Sequence, residues 1–219
     1  MPSKIFVVLW SERNYVVHRE HAREPHLIAD YANSFLQEFW NRIGKLPRGS
    51  SSEPRMACRW QAPPSGRLKL NVDASVRTGE GRIGIGDVIR DYWGVVVAAF
   101  SKTLVGIFSV DDAETLAVRE GFSFVAQNGL YPSVVENDSL STIQEITNYH
   151  LLAPNGLILA NIKDLLLSVS CGSYRHVLHE GNIVAHMLAT SAFQFPGDMF
   201  WVFSCSFFLS TFVLNDLVV

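Results

Sequence analysis

Apolar and polar residues alternate strictly from Leu68 to Ala74. Leu68, Leu70, Val72 and Ala74 fall on one side of an extended segment, and Lys69, Asn71 and Asp73 on the other. The pattern predicts a half-buried strand over 67–76 with a carboxylate on its polar face. Strand-like runs at 82–90 and 94–104 follow, separated by the turn-like Asp91-Tyr92-Trp93-Gly94, and the three runs together predict an antiparallel meander. Gly79, Gly81, Gly84 and Gly86 suit either a turn and a tightly packed strand or the close approach of a backbone or ligand. The period then changes. Within 112–128, Ala113, Leu116, Ala117, Phe124 and Val125 sit at helical spacing, with Gly121 where a helix can pass close to a sheet. Tyr131 to Glu136 reads as a short buried strand, a helix begins near Asp138, and Leu157 to Val169 reads as a strongly apolar helix. Tyr174 to His179 is a last strand, after which Asn182 can cap a helix running to about Phe193. The order βββ-α-β-α-α-β-α predicts an α/β sandwich in which an antiparallel part joins a parallel part.

The flanks differ in character. Residues 1–43 form an N-terminal helical extension, with Leu27, Ile28, Tyr31, Ala32, Phe35, Leu36, Phe39 and Trp40 as one apolar face. His18, His21 and His26 lie there among Arg and Glu, as in a solvated polar stretch. Residues 44–66 are a linker rich in Pro, Ser, Gly and Arg, 67–194 are the domain, and 195–219 are an apolar C-terminal tail. The tail is uncharged from Met199 to Asn215, but at about 1.5 Å per residue such a helix reaches only about 25 Å, short of a bilayer core of roughly 30 Å. It is therefore expected to pack on the domain, with no stable membrane association.

At 219 residues and 48% apolar, the chain has enough material for one domain with a full core. Residues 1–66 carry nine Lys/Arg against six Asp/Glu, whereas 67–194 carry nine against thirteen. An acidic domain excludes a protein that grips nucleic acid by a broad positive field, so any such role must rest on a local site or on bound cations. Cys58, Cys171 and Cys205 are odd in number and widely spaced, which suggests neither a disulfide framework nor a thiolate zinc site. The apolar run Ile5 to Trp10 is too short for a signal-peptide core, so an intracellular location, nucleus or cytoplasm, is expected.

Four segments place a polar group at the edge of an apolar element: the Asp73 strand, Ala113-Glu114-Thr115-Leu116-Ala117, Val135-Glu136-Asn137-Asp138-Ser139, and the late helix bearing His186. A strand Asp, a helix Glu, a strand-end Asp and a final polar group on a late helix are what metal-dependent phosphodiester cleavage requires. Two Mg²⁺ ions about 3.5–4 Å apart need hard oxygen ligands on rigid elements. The cations then reverse the sign of an acidic site toward phosphate.

These residues resemble the ribonuclease H-like domains, and among them the plant reverse transcriptase-like domains related to non-LTR retroelements. The resemblance covers about residues 60–195. It rests on the lead-in Trp60-Gln61-Ala62-Pro63-Pro64, on Lys69-Leu70-Asn71-Val72-Asp73-Ala74-Ser75, on Gly84-Ile85-Gly86-Asp87-Val88-Ile89-Arg90-Asp91, and on Ala113-Glu114 with Ala117. It continues through Val135-Glu136-Asn137-Asp138-Ser139 and His176-Val177-Leu178-His179-Glu180-Gly181-Asn182, followed by Ala185-His186-Met187-Leu188-Ala189. The resemblance implies a five-stranded mixed sheet, three antiparallel strands then two parallel, with helices on both faces. It implies two Mg²⁺ ions, or Mn²⁺, on Asp73, Glu114 and Asp138, with His186 where many ribonucleases H carry a fourth Asp. It also implies substrate contacts at Asn71, His179 and Asn182, and a monomer whose partner is an RNA–DNA hybrid.

Each residue has a plainer role open to it. Glu114 completes a capping-box pattern with Asp111, Asp138 can cap the next helix, Asn71 can bond its neighbouring strand, and His179 can be a surface residue. The leading functional reading is an Mg²⁺-dependent endoribonuclease acting on the RNA strand of hybrids. The alternative is a retroelement-derived binding or interaction module with little turnover, because residues 148–172 hold one Lys and no Trp and so lack the basic, aromatic handle that some ribonucleases H use. A membrane-tethered interaction protein rests on the tail alone.

Overall fold

The computed structural model describes residues 59–148, 155–169 and 171–202, together with 209 and 213. The helix expected within 1–43 and linker residues 44–58 lie outside them. Strands β1 (Leu68–Arg77), β2 (Arg82–Asp91) and β3 (Val96–Val105) form the expected antiparallel meander. Helix α1 (Val110–Gln127) leads to β4 (Pro132–Asn137), which pairs parallel to β1. Helices α2 (Leu140–Asn148) and α3 (Gly156–Val169) precede β5 (Ser173–His176), parallel to β4, and α4 (Ile183–Ser191) follows.

The sheet has six strands where five were expected. Met199–Val202 of the apolar tail forms β6, antiparallel to β3, and the strand order is β5-β4-β1-β2-β3-β6. This tail segment is apolar at every position, so it has no period-two signal to mark a strand. Leu209 and Val213 are also buried, in the cluster that includes Val88 and Leu188. Among the described residues no helix is long and apolar enough to cross a membrane.

The strand alternation separates two layers. Leu70, Val72, Ile83, Ile85, Ile89 and Phe100 turn toward α1 and α3, where they pack with Ala113, Leu116, Ala117, Leu159 and Ile162. The opposite face carries Asn71, Asp73 and Val88 and is covered by α4. Gly84 and Gly86 permit that cover: a Cβ at Gly86 would stand 2.1 Å from the Ala189 nitrogen and 2.4 Å from the Ala185 carbonyl oxygen. The close approach is thus of a helix backbone. Gly79 and Gly81, at φ 88° and 59°, serve the β1–β2 turn.

Asp87 breaks the apolar row of β2. It faces α1 between Ile85 and Ile89, has no exposed surface, and neither carboxyl oxygen has a hydrogen-bond partner among the described residues. Burial first, then the nearby Glu120 charge, holds this carboxyl well above the ordinary aspartate range. A carboxyl whose proton is held more tightly in the folded state destabilises the fold increasingly as pH rises above its ordinary range. Asp87→Ala is therefore expected to stabilise the domain by about 1–3 kcal/mol at neutral pH. The gain should shrink toward pH 4; urea-unfolding midpoints at pH 4, 6 and 8 measure both effects.

Candidate metal centre

Three elements bring the acidic residues to one end of the sheet. β1 and β4 run parallel with Asn71 beside Glu136, so Asp73, midway along β1, stands beside the residue just past the end of β4, Asp138. Helix α1 supplies Glu114 from its second turn. Ser109 and Asp112 form the capping box that starts this helix: the Asp112 amide donates to Ser109 Oγ at 3.0 Å, and the Ser109 amide to Asp112 Oδ2 at 3.3 Å. Glu114 is thereby released from capping. It is buried and accepts from Asn137 Nδ2 at 2.8 Å. Asp138 is likewise spared, because Ser139 Oγ accepts from the Thr142 amide at 3.3 Å where α2 begins. The ligand atoms of Asp73, Glu114 and Asp138 all lie within 4.8 Å of one another.

Electrostatics at this point are unfavourable to the bare protein. Burial, followed by the charge of Asp138 and a hydrogen bond with it, pushes the Asp73 carboxyl up to about 9. Burial, followed by the charge of Asp73, pushes Glu114 up to about 8. Hard oxygen donors held together out of water against their own repulsion fit a divalent cation, which would restore both charged forms.

Two imidazoles line the open side. His186 on α4 places Nδ1 3.1 Å from Asp73 Oδ2, and His179 places Nδ1 3.1 Å from Asp138 Oδ2. Their rings meet edge to face at 4.6 Å, and their side chains are 39% and 56% exposed. Asp73, Glu114, Asp138, His186 and His179 thus come together as five neighbours.

Asn71 and Asn182 lie underneath. Neither has exposed surface, and both make their hydrogen bonds inside the fold. Asn182 Nδ2 donates to the Val72 carbonyl at 2.9 Å and to Asp73 Oδ1 at 3.4 Å, while its Oδ1 accepts from Asn71 Nδ2 at 3.2 Å. Sequence reasoning gave Asn137 and Arg90 no separate role, although both stand inside the quoted motifs. It also passed over the buried Lys69–Glu136 pair, 2.5 Å apart, whose signal was one opposite charge on each of two apolar strands.

A family described as reverse transcriptase-like matches residues 71–192, more than half of the chain. The chain belongs to that family, within the ribonuclease H-like superfamily. Its fold resembles ribonuclease H1 from the archaeon Halobacterium salinarum NRC-1 at 23% identity and TM-score 0.52, covering 59% of this chain and 98% of that one. It also resembles a ribonuclease H1 from compost, LC11, solved in complex with an RNA/DNA hybrid. That likeness has 20% identity and TM-score 0.52, and covers 58% of this chain and 97% of that one. The N-terminal ribonuclease H domain of a Mycobacterium tuberculosis protein is similar at 17% identity and TM-score 0.51, over 58% and 94% of the two chains. No curated protein matches the chain.

Because Asp73 and Glu114 hold protons up to about 9 and about 8, cation binding should expel protons at neutral pH. Apparent cation affinity is then expected to rise from pH 6 to about 9, and Mn²⁺ titration calorimetry in two buffers of different ionisation heat counts the protons released. In the same scheme Asp73→Asn should leave the metal-free fold at least as stable, since it removes a raised carboxyl, and should abolish the rise in Tm that the cation gives.

Proposed function

We propose that the domain is a divalent-metal-dependent endoribonuclease that hydrolyses the RNA strand of RNA–DNA hybrids. The observation that carries this reading is the convergence of three carboxylates from β1, α1 and the end of β4 within 4.8 Å. The hybrid bound by the compost ribonuclease H1, whose fold this chain resembles, supports the choice of substrate. Asp73, Glu114 and Asp138 would hold two Mg²⁺ ions, or Mn²⁺. Such ions supply an activated water and charge neutralisation at the scissile phosphate. Asn137 orients Glu114. His186, with Nδ1 turned to Asp73, would take or give a proton through Nε2, and the more exposed His179 would contact a phosphate oxygen. Ribose 2′-hydroxyls read across a shallow minor groove would select the RNA strand.

A second reading, a binding or interaction module with little turnover, draws support from His186 at the place of a fourth carboxylate, since neutral imidazole is a poorer Mg²⁺ ligand than carboxylate.

A metal-titrated assay on a labelled hybrid separates the two. Cleavage should require the cation and leave 5′-phosphate and 3′-hydroxyl ends. Asp73→Asn should abolish it, and Glu114→Gln should lower it by at least about 10²-fold. No cleavage at any Mg²⁺ or Mn²⁺ concentration would favour the module.

The His186→Asp variant tests the fourth position. If capture of the second cation is limiting, activity should rise at low Mg²⁺ with unchanged cleavage positions. If His186 moves protons instead, the maximal rate should fall at saturating Mg²⁺ and the pH profile should change shape. Unaltered metal and pH profiles would remove His186 from the site.

A further inference from the structure

A chain of side-chain hydrogen bonds runs from the residues that precede the family-matched region to the metal centre, and its polarity can be followed atom by atom. Trp60 Nε1, which can only donate, gives its proton to Asn71 Oδ1 at 2.9 Å, and Arg90 Nη2 approaches the same oxygen at 3.4 Å. With its oxygen so engaged, the Asn71 amide must present its NH₂ group the other way. There it donates to Glu136 Oε2 and to Asn182 Oδ1, both at 3.2 Å. Asn182 in turn can only present its own NH₂ to the Val72 carbonyl and Asp73 Oδ1. Trp60, Asn71, Arg90, Glu136 and Asn182 are all buried, so no water competes for these directions. The Arg90 guanidinium lies 4.0 Å over the Trp60 ring, and Lys69 holds the other oxygen of Glu136, which fixes both ends of the chain.

We infer that Trp60 sets the orientation of the Asp73 carboxylate through Asn71 and Asn182, and is a positioning residue of the metal centre. The inference rests on the proposed cation binding at Asp73. With Oδ1 tied to Asn182 and Oδ2 facing His186, the carboxylate has one rotamer in which both oxygens are engaged. Reversing either amide would set donor against donor on one side of it and acceptor against acceptor on the other. The lead-in segment, which precedes the family-matched residues 71–192, is thus part of the site's support.

Mn²⁺ affinity of the full chain, measured by calorimetry and by electron paramagnetic resonance, tests this. Trp60→Phe keeps the ring that packs on Arg90 and removes the N–H; it should weaken Mn²⁺ binding about fivefold, the worth of one neutral hydrogen bond. In an Asn71→Ala background the same change should have no further effect on affinity. If Trp60→Phe does not fold, Asn71→Asp serves instead: it keeps the shape, replaces the donor facing Asn182 with an acceptor, and should weaken binding at least as much. A purely structural role would lower Tm and leave Mn²⁺ affinity at the wild-type value, which would overturn the inference, as would an equal loss in the Asn71→Ala background. Absence of Mn²⁺ binding by the unaltered chain would overturn the cation-binding reading as well, so the two failures are distinguishable.

Discussion

Asp73 and Glu114 are buried beside Asp138 with no Lys or Arg among the described residues paired to them, and the surrounding structure is arranged to tolerate that. In the metal-free protein both acids keep their protons well above the ordinary carboxylate range, so the repulsion is removed by neutralisation rather than by an ion pair. Amide side chains, which accept either protonation state, do the supporting: Asn137 at Glu114 and Asn182 at Asp73. A buried arginine there would have anchored the carboxylates more firmly and kept the cation out. Such cations as the domain does bury, Lys69 and Arg90, are set one layer back, where Glu136 and Asn71 engage them.

The β1 alternation and the helical period of 110–127 made most of the fold legible, because both elements bury one face and solvate or specialise the other. The acidic residues were legible for a related reason: a carboxylate on a strand face is costly without a partner, so Asp73 stood out before any contact was known. What the sequence could not display was direction. Asn71 and Asn182 were recognisable as polar residues near the chemistry, but whether an amide points to solvent or into the fold depends on the helix laid across it. That placement follows from Gly84 and Gly86, whose missing side chains let α4 lie against β2. Glu114 illustrates the converse. Its capping role was plausible from spacing and was taken up by Ser109 and Asp112, two residues earlier.

Asp87 marks a conflict between levels. A strand row of Ile83, Ile85 and Ile89 calls for a fourth apolar residue, and Gly121 leaves space where a Cβ would come within 2.2 Å of Asp87 Oδ2. Helix α1, which carries Glu114, therefore passes over a fully buried carboxyl as it crosses the sheet, and the geometry of the acidic cluster is built on a helix whose packing includes one unsatisfied group.

β6 pairs along the outer side of β3, whose hydrogen-bonding groups would otherwise be open over Ala98–Ser101. An uncovered strand of that kind is a template for pairing with another copy, and native sheets usually blunt it with charge, proline or a bulge. Here the cover comes from residues beyond position 192, where the family match ends. A chain cut back to the family-matched residues would keep all three clustered acids and yet present a bare apolar strand edge. Its solubility, rather than its chemistry, is what the tail protects.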